Sequence, residues 1–151
     1  MYITLKDFLN ESKKQKDVLF EDEQGRNIVF DSKDYRISVD SPKNAKHIVL
    51  WYNKDNKWSK VGALTASGTD KRFEWDNDIM DYLKINEVEI NKEHQGKGFG
   101  TKLYQTLFDF CDKQYKGLMS YLPDRVNKNQ VPSIYKKFKT KTQGDYHVIL
   151  F

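Results

Sequence analysis

The stretch of residues 85–112 constrains the fold more than any other part of the sequence. It begins with apolar and acidic residues in alternation, the pattern of a half-buried β-strand. It ends with apolar residues spaced three and four apart, as on one side of a helix. Three alternating glycines separate the two patterns. The sequence therefore predicts a strand over residues 85–90, a glycine-containing turn, and a helix over residues 99–113.

The turn has the sequence Gln95-Gly96-Lys97-Gly98-Phe99-Gly100-Thr101. Glycine permits positive φ angles and lets the backbone approach a ligand closely. The first turn of a helix has unpaired N–H groups at the positive end of the helix dipole. A glycine turn that leads into a helix is therefore typical of a phosphate-binding site. The alternative is a turn that only joins the strand to the helix.

Three patterns of phosphate-binding loop differ in their spacing. A Walker loop requires G-x-x-x-x-G-K-[ST], which the sequence lacks. A Rossmann fingerprint requires G-x-G-x-x-G, and here Thr101 stands at the position of its last glycine. The third pattern is Q/R-x-x-G-x-G/A, which Gln95, Gly98 and Gly100 match. This stretch resembles the pyrophosphate-binding motif of the GNAT N-acetyltransferase superfamily.

The resemblance covers about residue 46 to the C-terminus and implies the GNAT fold. That fold is α+β or mixed α/β, with a central twisted mixed sheet and flanking helices. We expect residues 1–151 to form one such domain, although residues 1–44 do not show the family's usual N-terminal strand and two helices. The implied activity is the direct transfer of an acetyl group from acetyl-CoA to a primary amine in a ternary complex.

The resemblance also implies which residues bind acetyl-CoA. Main-chain groups of the strand hold the acetyl and pantetheine portion, and the glycine loop wraps the pyrophosphate. Farther along the chain the family often has an asparagine, and here two asparagines bracket its expected position. The implied cofactor-binding residues are Val88, Glu89, Ile90, Gln95, Gly96, Lys97, Gly98, Phe99, Gly100, Thr101, Asn127 and Asn129.

Acetyl transfer to an amine requires a base and an acid. A lysine-like amine has a pKa of about 10.4 and must lose a proton before it attacks a thioester. Glu87 and Glu89 share one face of the predicted strand, which is either the place of the catalytic base or simply a solvated face. Tyr135 fits the family tyrosine that protonates the leaving thiolate; otherwise it is a packing residue of a predicted helix, 132–138.

The rest of the chain reads mostly as strands. The predicted elements are a helix at 5–15, a hairpin of strands 18–20 and 27–30, a turn at 53–57, and strands at 35–39, 47–52, 58–66, 117–122 and 146–151. Residues 70–84 mix acids with aromatics and are left as a short strand, a loop, or both. Their acidic character favours a cationic acceptor.

Composition limits the class of protein and its compartment. A chain of 151 residues has the length of one domain. Its single cysteine, Cys111, excludes a disulfide framework, and no Cys/His spacing typical of zinc predicts a metal site. The sequence has no apolar run approaching 18 residues and no secretion signal. We therefore expect a cytoplasmic protein that does not enter a membrane; the oligomeric state is left open.

Basic residues concentrate near the C-terminus. Residues 116–141 contain seven Lys or Arg and one acid, Asp124, in a chain of net charge +4. Such a window is a solvated face or a surface for an anionic cofactor or nucleic acid. A second hypothesis is therefore a non-catalytic module that binds CoA or nucleic acid through this face. The two hypotheses combine if the acceptor is an aminoacyl-tRNA, while a small molecule or a protein are the other acceptors considered.

Overall fold

The computed structural model describes residues 17–76, 81–111, 115–121 and 140–150. Within these ranges the chain forms nine strands, one α-helix and one 3₁₀ helix. The strands are β1 (Phe20–Glu21), β2 (Asn27–Asp31), β3 (Tyr35–Asp40), β4 (Ala45–Lys54), β5 (Lys57–Thr69), β6 (Tyr82–Ile90), β7 (Gly117–Tyr121), β8 (Thr140–Gln143) and β9 (Tyr146–Leu150). The helix α1 is Phe99–Phe110, and the 3₁₀ helix is Lys92–His94. None of the helices in these ranges has the length and apolar character needed to cross a membrane.

All of these strands form one sheet, in the order β1-β2-β3-β4-β5-β6-β7-β9-β8. Neighbouring strands are antiparallel except β6 and β7, which run parallel with α1 in the connection between them. Strand β9 lies between β7 and β8 and is antiparallel to both. A mixed, largely antiparallel sheet with a helix against it confirms the predicted α+β class.

The two longest strands, β4 and β5, are joined by a two-residue turn. Asp55 and Asn56 both have positive φ, 54° and 64°. Two-residue hairpin turns of this hand need residues that tolerate the left-handed region, and Asp and Asn are among the few that do. The turn predicted at 53–57 is therefore confirmed.

Apolar side chains cover both faces of the sheet near its middle. On one face α1 buries Phe99, Leu103 and Leu107 against strands β3 to β6. On the other face a smaller cluster surrounds Tyr82, which is fully buried. Its other buried members are Phe73, Met119 and Val148, with Trp75, Tyr146 and Leu150 packed against them. Strands β6 and β7 are thus supported from both sides.

The predicted strands at 27–30, 35–39, 47–52 and 58–66 are confirmed as β2 to β5, with bounds that differ by a few residues. The strands at 117–122 and 146–151 are confirmed as β7 and β9 within the described residues. The hairpin predicted from strands 18–20 and 27–30 is confirmed by the antiparallel pairing of β1 with β2, although β1 begins only at Phe20.

Other predictions differ from the structure for physical reasons. Residues 82–84, left undecided, form the start of β6 because Tyr82 and Leu83 are buried on opposite faces. Strand β8 was not predicted, since its sequence, Thr-Lys-Thr-Gln, has no apolar residue. Helix α1 ends at Phe110 because the backbone of Cys111 is extended. The helices predicted at 5–15 and 132–138 lie outside the described residues.

A buried ion pair joins the segment after β5 to the start of β7. One oxygen of Asp76, Oδ1, accepts hydrogen bonds from Lys116 Nζ at 2.9 Å and from the Tyr82 hydroxyl at 2.5 Å. The other accepts one from the Phe73 N–H at 2.7 Å. Burial raises the pKa of Asp76, but the hydrogen bonds from Tyr82, Phe73 and Lys116 outweigh this effect and hold the pKa below the usual 3.8.

We expect Asp76→Asn to lower the free energy of unfolding at pH 7 by about 3–5 kcal/mol, because it removes the carboxylate that neutralises a buried ammonium. Since the pKa of Asp76 is lower in the folded state, its contribution is present above the unfolded pKa of about 3.9 and is lost as the pH falls through the folded pKa. Urea unfolding at several pH values should show the difference between variant and wild type shrinking in acid.

The control is Asp81→Asn. Asp81 pairs with Arg72 at 3.2 Å, but both side chains are more than one third exposed. Its loss should change the stability by less than about 1 kcal/mol. Equal effects of the two substitutions would contradict the importance of burial at Asp76.

Candidate functional site

A bulge in β6 decides which of its side chains face α1. Ile85 and Glu87 pair with adjacent residues of β5, so Asn86 is an extra residue in β6. An extra residue reverses the alternation that follows it. As a result Ile85 and Val88, three residues apart, both contact the core under α1. That three-residue spacing is the sequence signal of the bulge.

Glu87 and Glu89 lie after the bulge and are both exposed. They alternate with Val88 and Ile90, which contact the core, and therefore point to the face of the sheet opposite α1. Neither carboxylate has a hydrogen bond or an ion pair with another described residue. Both are accessible to a molecule that approaches this face.

The sheet opens between β6 and β7 at the level of the bulge. The two strands pair only over Tyr82–Lys84 and Gly117–Met119. Beyond this point β7 stays with β9, and β6 continues along β5 to Ile90. Within the described part of the chain, residues 85–90 therefore have no strand partner on the β7 side. Unpaired N–H and C=O groups on a strand edge can bind an extended ligand that carries amides.

The glycine loop begins where β6 ends. The side chain of Gln95 donates a hydrogen bond from Nε2 to the carbonyl of Ile90 at 2.7 Å, which ties the loop to the strand. Gly96 and Gly98 have φ angles of 77° and 83°. An added Cβ would contact nothing within 4 Å at either position. The backbone conformation, and not a lack of space, thus favours glycine at these two positions.

Helix α1 starts at the end of this loop. Its first intrahelical bond runs from the N–H of Lys102 to the carbonyl of Gly98, at 3.1 Å. The N–H groups of residues 99–101 therefore have no acceptor within the helix. The first turn contains no acidic side chain to compete for them. This helix start is suited to an anion.

Sequence reasoning missed a side-chain cluster behind the loop. The hydroxyl of Tyr35 lies 2.8 Å from Nδ1 of His94 and 3.2 Å from Nζ of Lys97. Tyr35 is 59 residues from His94 in the chain, so no local pattern connects them. The pairing of β3 with β4 places Tyr35 beside Tyr52. The ring of Tyr52 in turn contacts the ring of His94, so Tyr35 and His94 meet only in the folded sheet.

The sequence matches the model of the acetyltransferase (GNAT) family over residues 6–137. The chain belongs to the GNAT acetyltransferase family. The match includes residues 6–44, which precede the region of the resemblance noted in the sequence. In residues 17–44 the structure has β1 to β3, and a short turn joins β3 directly to β4.

Solved structures with a similar fold include the following three. Arabidopsis thaliana NAA60 in complex with a bisubstrate analogue has a TM-score of 0.55 and 11% identity, covering 100% of this chain and 97% of that one. The GNAT protein YhbS of Escherichia coli, in complex with CoA, has a TM-score of 0.52 and 12% identity, with coverage of 80% and 83%. A mutant AtaT toxin bound to the C-terminus of the antitoxin AtaR has a TM-score of 0.50 and 15% identity, with coverage of 70% and 68%. The comparison with curated proteins gave no significant match.

Several residues singled out in the sequence are not in the GNAT site described here. Tyr135, Asn127 and Asn129 lie outside the described residues. Cys111 is half-buried just after α1 and packs against the core, with Sγ 3.2 Å from the carbonyl of Phe108. Among the described residues no three His, Cys, Asp or Glu side chains are grouped as ligands for a metal ion.

The structure describes two of the seven basic residues in the window 116–141, and they differ in exposure. The side chain of Lys116 is 12% exposed and paired with Asp76, so its charge is already neutralised within the protein. Lys141 is exposed, with Nζ 5.4 Å from the centre of the Trp75 ring. The other five basic residues of the window lie outside the described residues.

We expect Gly98→Ala to destabilise this GNAT domain by about 1–2 kcal/mol, because an L-residue is strained at a φ of 83°. Gly100→Ala is the matched control. Its Cβ would meet Ile90 Cδ1 at 3.8 Å, an ordinary contact, and helical alanine is favoured over glycine by up to about 1 kcal/mol. Urea unfolding of both variants tests this. A Gly98→Ala variant as stable as wild type would show that the loop does not need a positive φ.

Proposed function

We propose that this GNAT protein is an N-acetyltransferase that moves an acetyl group from acetyl-CoA to a primary amine by direct transfer in a ternary complex. The observation that carries the proposal is the opening between β6 and β7 beside the glycine loop. The amides of pantetheine suit the free edge of β6. The pyrophosphate suits the start of α1, where N–H groups are unpaired.

A solved structure with this fold supports CoA as a ligand, since YhbS is described in complex with CoA. Family membership of this chain rests on the separate match over residues 6–137. The residues present fit acetyl-CoA, since the loop combines two glycines of positive φ with a helix start free of acids.

In the proposed mechanism, Glu87 or Glu89 takes a proton from the amine, directly or through a water molecule. The amine nitrogen then attacks the thioester carbon, and a main-chain N–H near Ile90 stabilises the oxyanion. The attacking nitrogen loses its remaining extra proton to solvent, the C–S bond breaks, and Tyr135 gives a proton to the thiolate. The products are an amide and CoA. The two glutamates support this role by being exposed on one face of β6.

The acidic segment at 70–82 contributes less to an acceptor site than its composition indicated. Asp76 is 2% exposed and neutralised by Lys116. Asp81 is paired with Arg72. Glu87 and Glu89 are exposed on the strand that borders the opening, and these carboxylates favour a cationic primary amine as acceptor. A polyamine, a protein amine and the amine of an aminoacyl-tRNA all meet this description.

We expect acetyl-CoA at 100 times its Kd to stabilise the wild-type protein by about 2.7 kcal/mol, which raises the Tm by about 5–10 °C. Gly98→Trp should abolish the shift, because the indole would occupy the space before the helix start. Gly144→Trp is the matched control. Gly144 also has a positive φ, 59°, with nothing within 4 Å of an added Cβ, but lies in the β8–β9 turn.

The control should melt lower than wild type without ligand yet keep the shift. Loss of the shift in Gly144→Trp as well would mean that the effect is not specific to the loop. A wild-type protein that acetyl-CoA does not stabilise would contradict the proposed donor.

We expect the carboxylate that acts as base to be revealed by Glu87→Gln or Glu89→Gln, with a fall in turnover of about 10²–10⁴-fold. Tyr135→Phe should also lower turnover if its phenol protonates the thiolate. The measurement is release of CoA thiol in the presence of a polyamine, a lysine peptide or an aminoacyl-tRNA. Glu93→Gln, at an exposed acid of the 3₁₀ helix, is the control. Turnover within about threefold of wild type in Tyr135→Phe would exclude its acid role.

A further inference from the structure

The glycine loop rests on a cluster formed by Tyr35, Tyr52, His94, Lys97 and Phe99, here named the Tyr35 cluster. The ring of Tyr35 lies 4.3 Å from that of Phe99 and 5.2 Å from that of Tyr52, measured between centroids. The ring of Tyr52 lies 4.7 Å from that of His94. Two strands far from the loop in sequence, β3 and β4, thus supply the surface that the loop packs on.

The hydroxyl of Tyr35 is the polar centre of this cluster. An ammonium can only donate, so the Tyr35 oxygen accepts from Lys97 at 3.2 Å. The same hydroxyl is hydrogen-bonded to Nδ1 of His94 at 2.8 Å. The Tyr35 residue is 9% exposed, whereas His94 is half-buried and Lys97 is exposed, so the two bonds are partly shielded from water. One hydroxyl oxygen therefore contacts two residues of the loop region.

The two residues that it fixes stand on either side of Gln95 and Gly96. Gly96 and Gly98 have positive φ, and glycine loses more conformational freedom than other residues when it is ordered. A loop of this kind binds more weakly if it must be ordered by the ligand, because the ordering cost is then subtracted from the binding free energy. Holding His94 and Lys97 in place reduces that cost before a ligand arrives.

We propose that Tyr35 is a positioning residue for CoA: its hydroxyl pre-orders the glycine loop and directs the Lys97 ammonium at the mouth of the phosphate site. The inference rests on the proposed function, since it concerns the binding of the same cosubstrate. Tyr35 acts through His94 and Lys97 and does not itself touch the reacting atoms. Because Tyr35 belongs to β3, the proposal gives the region before residue 45 a role in cosubstrate binding.

The test is Tyr35→Phe, which removes the hydroxyl and keeps the ring packing. We expect the Kd of CoA, measured by calorimetry, to rise about tenfold, the effect of losing one or two hydrogen bonds. The KM for acetyl-CoA should rise in parallel, with kcat at saturating acetyl-CoA nearly unchanged. A merely structural role would instead lower the Tm of the free protein and leave the Kd of the folded fraction unchanged.

The matched control is Tyr52→Phe. It removes the same atom from a neighbouring ring of the Tyr35 cluster, and the Tyr52 hydroxyl has no hydrogen bond with the described residues. Its Kd for CoA should equal that of wild type. Equal weakening in both variants would overturn the proposal, as would an unchanged Kd in Tyr35→Phe.

A second pair of variants removes the charge of an exposed lysine, where a substitution is expected to have little effect on the free energy of unfolding. Lys97→Met should weaken CoA binding more than Lys92→Met, because both remove one exposed cation near the loop but only Lys97 is held by Tyr35. In the Lys97→Met background, Tyr35→Phe should cause a smaller further loss than it does alone. Full additivity of the two losses would overturn the coupling.

The result for the wild type separates this proposal from the proposed function. If wild-type protein does not bind CoA, both proposals fail. If wild-type protein binds CoA and Tyr35→Phe binds it equally well, only the role of Tyr35 fails.

Discussion

The parting of β7 from β6 after Lys84 is the constraint on which the rest of the site depends. A strand inside a sheet normally has its N–H and C=O groups satisfied on both sides. Here β7 pairs with β9 over its whole length but with β6 only over Gly117–Met119, and the bulge at Asn86 falls where β6 and β7 separate. The free edge of β6 then leads through Ile90 to a loop tied back by Gln95. The free edge of β6, which suits amides, and the start of α1, which suits anions, therefore lie next to each other along the chain.

The parts of this site that depend on local sequence could be predicted. Glycine at positions of positive φ, the amphipathic helix and the strand before it all leave signals within a few residues of one another. The Tyr35 cluster could not be predicted, because its members come from β3, β4 and the loop and meet only through the register of the sheet. Strand β8 was missed for a different reason: it is a polar edge strand held by pairing with β9 and not by burial of its own side chains.

The number of charged residues in a stretch of sequence does not determine which of those charges can contact a ligand. Lys116 looked like the start of a basic surface, and Asp76 looked like part of an acidic one. In the folded chain they neutralise each other against Tyr82. Glu87 and Glu89 sit in an ordinary alternating pattern, yet they remain exposed beside the opening. Burial and pairing, which only the tertiary structure sets, decide which charges can act on a ligand.

The three-residue pairing between β6 and β7 also has a mechanical consequence. Strands β3 to β6 share long ladders, and β7 to β9 form a second set, but few backbone bonds join β6 to β7. Their union relies on the packing around Tyr82 and α1 and on the ion pair of Asp76. A molecule lying in the opening and bonded to both sides would act as a cross-brace between the two sets. Unfolding of the occupied protein would then be more cooperative than unfolding of the empty one, with the two sets losing their amide protection together.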